Sequence, residues 1–167
     1  MFHVGDHVLY GIHGICRITD VEERIVDRKK VYYFVLEPQD QAGAKYYIPT
    51  HNEAALAKLR HVIGKEELEA LLKSDAVRVD SWIADENQRK QRYRELINSG
   101  DRAALLQMIG SLHRHRAQQA EAGRKFHQCD ENFLRDAEKR LASELEYVLN
   151  TDFDQAKNYL RQKLKAE

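Results

Sequence analysis

The sequence predicts an α+β protein, with a small N-terminal β-barrel followed by an all-α helical domain. About five short apolar segments follow one another closely in the first third of the chain, a spacing typical of a small barrel. After Gly64 the apolar residues recur at helical spacing instead. The polar stretch 74–81 indicates a linker. We therefore expect a barrel domain over residues 1–74, closed by a short helix, and a helical domain over residues 80–167.

The expected strands are marked by alternation and by β-branched and aromatic residues. Segment 15–21 roughly alternates between apolar and polar residues, as a half-buried strand should. Segment 31–36 is rich in β-branched and aromatic residues. A proline closes segment 45–49, because proline cannot donate a hydrogen bond to a neighbouring strand. Shorter apolar runs at 8–10 and 59–63 complete the set.

The helical domain is predicted from apolar stripes with the period of an α-helix. A strongly charged helix is expected over 82–98, and Leu105, Met108, Ile109 and Leu112 form the stripe of the next one. Gly100 is suited to end the first of these helices, and Ser99 or Asp101 is suited to begin the second. Two further helices are expected from the stripes within 133–149 and 153–164.

Charge is segregated along a chain whose net charge is zero. Residues 88–125 contain nine basic and three acidic residues, whereas residues 130–154 contain eight acidic and three basic ones. The whole chain is therefore not basic, but a local basic face is compatible with the pattern. The two cysteines lie far apart, and no apolar run approaches the length of a membrane span. We expect a cytoplasmic protein without a disulfide framework and without a membrane partner.

No motif in the sequence predicts catalysis. A phosphate-binding glycine loop and a nucleophile elbow are both missing from the sequence. The candidate metal ligands are His113, His115, His127 and Cys129. His-x-His spacing on a helix does not place both imidazoles on one face, since ligands there need a spacing of three or four residues. We expect no metal, no cofactor and no enzymatic activity, with the histidines on a solvated basic helix.

Three features have both a structural and a functional interpretation. Trp82 is either a core residue at a domain junction or a contact to a partner or DNA, because apolar side chains can insert between base steps. The charged segment 88–94 is either a solvated helix face or a phosphate-binding face. Tyr46 and Tyr47 are either ordinary sheet residues or part of an edge strand that pairs with a partner.

A set of short motifs, taken in order along the chain, resembles the CarD/CdnL family of transcription regulators. The opening resembles the start of these proteins: Phe2-x-Val4-Gly5-Asp6-x-Val8-x-Tyr10, then His13-Gly14. The pattern continues with Val21-Glu22-Glu23-Arg24, Tyr33-Phe34-Val35-Leu36, Tyr47-Ile48-Pro49 and Leu59-Arg60-x-Val62. A tryptophan, a basic helix, Ser99-Gly100-Asp101 and an apolar helix follow. The same first module occurs in transcription-repair coupling factors, whose helicase motifs this chain lacks.

The resemblance implies a Tudor-like, or SH3-like, barrel that docks on the β subunit of bacterial RNA polymerase. It also implies a helical domain that meets promoter DNA, without sequence specificity, near the upstream edge of the transcription bubble. The polymerase side would be formed by Arg24, Tyr46, Tyr47 and Ile48. The DNA side would be formed by Trp82, Arg89, Lys90 and Arg92.

By this resemblance the protein acts as a monomer and modulates the stability of the open complex. It would be associated with the nucleoid through RNA polymerase. Two other functions fit the sequence less closely. One is a barrel-plus-helix adaptor for another partner, without DNA contact, and the other is a small enzyme that uses the histidines and cysteine.

Overall fold

The structure, a computed structural model, describes residues 1–165, with the side chain of Ile12 excepted. The chain divides into two compact units, Met1–Ile63 and Gly64–Glu167. We expected domains over 1–74 and 80–167, with residues 65–74 as part of the barrel domain. In the structure these residues belong to the helical unit. Residues 166–167, which end the expected helical domain, lie outside the described residues.

The first unit is a five-stranded antiparallel sheet with strand order β4-β3-β2-β1-β5. Its strands are β1 (His7–Tyr10), β2 (Ile15–Val26), β3 (Lys29–Pro38), β4 (Tyr46–Pro49) and β5 (Leu59–His61). A 3₁₀ turn (Gly11–His13) follows β1, and a short helix, α1 (Glu53–Leu56), precedes β5. The predicted small β domain is confirmed. Closure of the sheet into a Tudor/SH3-like barrel stays a prediction.

Strands β2 and β3 form a hairpin that is longer than the sequence predicted. The turn residues Asp27 and Arg28 both have positive φ, +50° and +65°, as two-residue turns between twisted antiparallel strands require. Pairing begins at Val26 and Lys29, so β2 extends beyond the predicted segment 15–21. Strand β4 pairs only with the later part of β3, from Tyr33, which leaves the turn end of the hairpin as two strands.

The core of the first unit lies on one face of this sheet. Its buried members come from β1 to β5: Val8, Cys16, Ile18, Leu36, Ile48 and Leu59. Burial, with a smaller contribution from Asp40, raises the pKa of the Cys16 thiol to about 11. The thiol is therefore protonated at neutral pH and behaves as a small apolar core residue.

The second unit is helical, as predicted. Its helices are α2 (Lys65–Lys73), α3 (Asp75–Arg78), α4 (Glu86–Ser99), α5 (Arg102–Glu121), α6 (Gln128–Leu149) and α7 (Phe153–Lys165). Within the part of the chain that the structure describes, none of them is long and apolar enough to cross a membrane.

The stretch 74–81, expected as a linker, is packed against α5. It contains α3, whose Val77 is fully buried. The Gln107 side chain donates a hydrogen bond to the carbonyl of Ala76 (2.9 Å), and the Ser111 hydroxyl accepts one from the amide of Ser81 (2.8 Å). The linker prediction was wrong, because polar residues can fix a segment through hydrogen bonds when one apolar side chain among them is buried.

The turn between α4 and α5 confirms the predicted caps. Gly100 adopts the left-handed conformation (φ +65°) and ends α4. Residues other than glycine rarely adopt this backbone conformation. The Asp101 carboxylate then accepts a hydrogen bond from the amide of Ala104 (2.9 Å) and begins α5. The two longest apolar stripes of the unit, on α5 and α6, are buried against each other and against α4 and α7.

Candidate functional site

One outer face of the β2–β3–β4 sheet brings together an arginine and two tyrosines. The guanidinium carbon of Arg24 lies 4.2 Å from the ring centroid of Tyr47 and 5.7 Å from that of Tyr33. The cross-strand register explains this proximity, because Glu22 pairs with Tyr33 on β3 and Val35 pairs with Tyr47 on β4. We call Arg24, Tyr33 and Tyr47 the arginine–tyrosine face.

The arginine–tyrosine face is accessible to a partner. The side chains of Arg24 and Glu22 are 48% and 39% exposed and form an ion pair of 3.1 Å, and Tyr47 is 37% exposed. An exposed ion pair of this kind contributes little to stability, whereas arginine and tyrosine are enriched among the residues that dominate binding energy at interfaces. These properties favour a binding role for Arg24 and Tyr47 over a structural one.

The four expected polymerase-facing residues do not share one surface. Successive side chains of a strand point to opposite faces, so Tyr46 and Ile48 lie on the core side of β4 while Tyr47 lies on the outer side. Ile48 is 4% exposed, and Tyr46 packs beside the ring of Tyr10 (5.3 Å between centroids). Of the expected set, Arg24 and Tyr47 therefore present side chains outward, and Ile48 offers only its backbone.

Strand β4 is one of the two end strands of the sheet. Among the described residues it pairs on one side only, with β3. An end strand presents unpaired backbone N–H and C=O groups to which an extended segment of a partner can add. The arginine–tyrosine face and this edge are contiguous, because Tyr47 belongs to both.

In the second unit, Trp82 lies in a side-chain cluster just before α4. Its ring stacks on the imidazole of His115 in α5, with centroids 3.5 Å apart and ring planes inclined by 15°. The guanidinium carbon of Arg89 lies 4.2 Å from the Trp82 ring centroid. The sequence predicted that Trp82 begins the helix, but α4 begins at Glu86 and is capped by the Asp85 carboxylate (2.8 Å to the amide of Gln88).

Arg89 departs from the expectation that it faces DNA, since its side chain is only 3% exposed. Its guanidinium makes a two-point ion pair with the fully buried Asp130 of α6, at 2.9 Å and 3.1 Å. It also donates to the carbonyl of Ile83 (2.8 Å). Because arginine presents its donors in a rigid planar fork, this one side chain fixes the segment that carries Trp82.

The surroundings of His115 favour the neutral form of its imidazole. Burial is the main cause that lowers its pKa below the ordinary 6.5, and the nearby Arg89 and His127 lower it further, while Asp130 and Asp80 oppose them. A neutral imidazole stacks on the indole without placing a second cation beside Arg89. His115 and the buried His113 are therefore packing residues, not members of a solvated helix face as the sequence predicted.

The other two expected DNA-facing cations, Lys90 and Arg92, lie on opposite flanks of the buried face of α4, because residues two positions apart on a helix do not share one face. Lys90 pairs with Glu86 one turn earlier (3.0 Å) and Arg92 with Glu95 (3.5 Å). The Arg92 side chain is 57% exposed, and Arg94 is exposed as well. The Lys90 side chain is half-buried, but ion pairs between residues three or four apart on a helix contribute little free energy, so both side chains can exchange their carboxylate partners for phosphates at low cost.

The acidic stretch on α6 neutralises part of the basic stretch from within the fold. Besides Arg89 with Asp130, Arg102 makes a two-point contact with Glu144, and Arg116 lies 3.6 Å from Glu131. Part of the segregated charge therefore forms ion pairs that join α4 and α5 to α6. Fewer basic residues remain exposed than the sequence suggested.

A second exposed basic pair directly precedes Phe126 in the chain. Arg124 and Lys125 are exposed in the turn between α5 and α6. The following residue, Phe126, has its ring 6.2 Å from that of His115. The sequence pattern does not single out this pair, because the contact between Phe126 and His115 arises only when the chain turns back after α5.

Within residues 1–165, no group of three or more His, Cys, Asp or Glu side chains is placed to hold a metal ion. Cys129 is half-buried at the start of α6. Its Sγ lies 3.8 Å from Oε1 of Glu86. His113 and His115 have separate neighbours: Nδ1 of His113 contacts Arg116 (3.0 Å), and Nε2 of His115 contacts Gln119 (3.0 Å).

Comparison with protein families matches both units of the chain. Residues 2–63 match the CarD-like/TRCF RID domain, and residues 67–161 match the CarD C-terminal domain. This chain belongs to the CarD-like family. The family is one of non-catalytic transcription regulators that interact with RNA polymerase. A comparison of this CarD-like chain with curated proteins finds no match.

The two matched domains of the CarD-like chain coincide with its two structural units. The first match ends at residue 63, where the first unit ends, and the second begins within α2. The arginine–tyrosine face therefore belongs to the CarD-like/TRCF RID domain, and the Trp82 cluster belongs to the CarD C-terminal domain.

Proposed function

We propose that this CarD-like protein binds the β subunit of bacterial RNA polymerase and contacts promoter DNA near the upstream edge of the transcription bubble. In this proposal it changes the stability of the open complex and performs no chemistry. The observation that supports the proposal is the pairing of two separate surfaces in one CarD-like chain. One is an exposed arginine–tyrosine face on a sheet edge, and the other is a half-buried tryptophan with basic side chains around it.

The polymerase contact is assigned to Arg24, Tyr47 and the backbone of β4. The end strand supplies directional hydrogen bonds, and the exposed Arg24–Tyr47 pair supplies the side-chain contact that gives specificity. Tyr46 and Ile48 support this surface from the core side and make no side-chain contact of their own in the proposal.

The DNA contact is assigned to Trp82, with Lys90, Arg92, Arg124 and Lys125 on the neighbouring phosphates. An aromatic side chain inserted at a base step has to be held in place, because ordering it on binding costs free energy. Arg89 and His115 hold Trp82 in advance. Backbone phosphate contacts carry no sequence information, so the contact is expected at many promoters.

The effect on transcription follows from differential affinity. A ligand shifts an equilibrium only by the difference between its affinities for the two states, and a difference of about 1–3 kcal/mol changes the open-complex population by roughly 5- to 150-fold. Attachment to polymerase raises the local concentration of the protein near the promoter. This attachment compensates for weak intrinsic DNA affinity in a chain without net charge, and places the protein at the nucleoid.

A second candidate function is an adaptor that binds polymerase without touching DNA. The buried Arg89–Asp130 ion pair beneath Trp82 favours it, because the same cluster also serves as a core of the helical unit. A variant with Lys90→Ala and Arg92→Ala distinguishes the two functions. Arg89 is left unchanged, since its removal would leave Asp130 buried without a partner.

The experiment compares polymerase binding and open-complex lifetime for the wild type and the Lys90→Ala/Arg92→Ala variant. The proposal predicts unchanged polymerase binding with a reduced effect on lifetime. The matched control is the Lys29→Ala/Lys30→Ala variant. It also removes two positive charges, from exposed side chains at the start of β3. An unaltered lifetime effect in the α4 variant would favour the adaptor.

A further inference from the structure

The helical unit contains a cavity of about 480 Å³ that neither proposed interface uses. It is lined from three helices, with Arg78 from α3, four residues of α5 and three of α7: Gly110, His113, Arg114, Ala117, Arg161, Leu164 and Lys165. This volume lies within the range of pockets that bind small molecules.

The cavity is strongly cationic. Three arginines and a lysine line it, and no carboxylate does so among the described residues. Glu138 of α6 lies close to the cavity wall, with its carboxylate 3.6 Å from the guanidinium of Arg161 and 3.5 Å from Nε2 of His113. One carboxylate offsets one of the positive charges. The cationic lining of Arg114, Arg161 and Lys165 favours an anionic occupant, because cationic side chains that converge on a concave surface focus a positive potential.

The remaining lining is small and apolar. Gly110, Ala117 and Leu164 form it, and Gly110 lies in the interior of α5, where glycine is destabilising relative to alanine. A Cβ at Gly110 would lie 3.3 Å from Nη1 of Arg114 and 3.9 Å from Leu164. The absence of a side chain at Gly110 therefore allows the Arg114 guanidinium to lie close to α5, where it lines the cavity.

We propose that this cavity binds a small phosphorylated ligand with a planar apolar portion, the combination found in nucleotides. Arginine side chains bind phosphate oxygens by two parallel hydrogen bonds, and Arg114 and Arg161 face the cavity from α5 and α7. The apolar wall of Ala117 and Leu164 accommodates the ring. A concave site of this size favours a compact ligand over the phosphate backbone of DNA, which needs an open surface or groove.

The test is isothermal titration of the full chain at about 0.15 M ionic strength with ATP, adenosine and inorganic triphosphate as separate probes. The proposal predicts saturable one-to-one binding of ATP, weaker binding of triphosphate and none of adenosine. Arg114→Gln should weaken ATP binding about tenfold or more, the effect of losing a charged hydrogen bond. Ala117→Leu should weaken it by narrowing the cavity at unchanged charge.

The control is Lys139→Gln, which removes one exposed positive charge on α6 away from the residues that line the cavity. It should leave ATP binding unchanged, and circular dichroism should show the same helix content in all variants. The proposal is overturned by the absence of ATP binding. Equal weakening by Lys139→Gln, or displacement of ATP by duplex DNA with the same sensitivity to Arg114→Gln, also overturns it.

Discussion

The guanidinium of Arg89 joins Asp130 in a buried two-point ion pair, with Nε to Oδ1 at 2.9 Å and Nη2 to Oδ2 at 3.1 Å. The two residues are 41 positions apart in the chain, and the same guanidinium lies against the ring of Trp82. One contact therefore links the packing of α4 on α6 to the position of the tryptophan that we propose for DNA contact.

Asp130→Asn should destabilise the protein by about 3–5 kcal/mol, because it leaves the Arg89 charge buried without its counterion. The free energy of unfolding is measured in urea, with circular dichroism for the helices and the emission of the single tryptophan for the cluster. Asp136→Asn is the matched control, since Asp136 is exposed on the same helix and should change stability by less than about 0.5 kcal/mol. Equal stability of the two variants would contradict the role of the ion pair.

His115 should titrate at a lower pH in the folded protein than its ordinary pKa of 6.5, because burial disfavours the imidazolium. Between the folded pKa and the unfolded one, the unfolded chain binds more protons, so the free energy of unfolding falls as the pH is lowered through that window. Above the unfolded pKa this contribution to stability is fully present.

The titration is measured by NMR of the His115 ring and in parallel by the emission of Trp82, which stacks on it. The two midpoints should coincide, and His115→Gln should abolish the emission change. A His115 midpoint at or above the ordinary value would refute the neutral stack. Emission that still titrates in His115→Gln would refute the assignment of the emission change to His115.

The sequence was sufficient to predict the main strands and the long helices of the fold, but not its short helices or its long-range ion pairs. Alternation and helical periodicity are local, and they placed β3, α5 and α6 with useful accuracy. Arg89 was assigned to a basic surface because its partner Asp130 lies on another helix, and a helical period does not reveal which charged position faces inward. The same limit applies to His115, whose partner Trp82 stands outside any helix.

The candidate polymerase surface shows the same distinction. Arg24 and Tyr47 were selected from the sequence, and the structure places them in contact. Tyr46 and Ile48 were selected with them as a continuous run, although strand alternation sends their side chains to the core. Alternation was available from the sequence, whereas the pairing register that places Tyr47 near Arg24 required the fold.

Arg24→Ala and Tyr47→Ala should each weaken binding to the β subunit of RNA polymerase by roughly 30-fold, the effect expected of a residue that dominates an interface. Both side chains are exposed, so unfolding should be little changed. Affinity is measured as binding of each variant to surface-immobilised polymerase. The control is Arg17→Ala, because Arg17 is an exposed arginine elsewhere on β2. Wild-type affinity in both variants would move the polymerase contact away from this face.

The most direct test of the account is the lifetime of promoter open complexes after challenge with a competitor, at saturating wild-type protein or saturating Trp82→Ala. The account predicts that the wild type changes the lifetime several-fold. It also predicts that Trp82→Ala, still folded by circular dichroism and still bound to polymerase, loses most of this change. A Trp82→Ala protein that alters the lifetime as strongly as the wild type would contradict the proposed DNA contact.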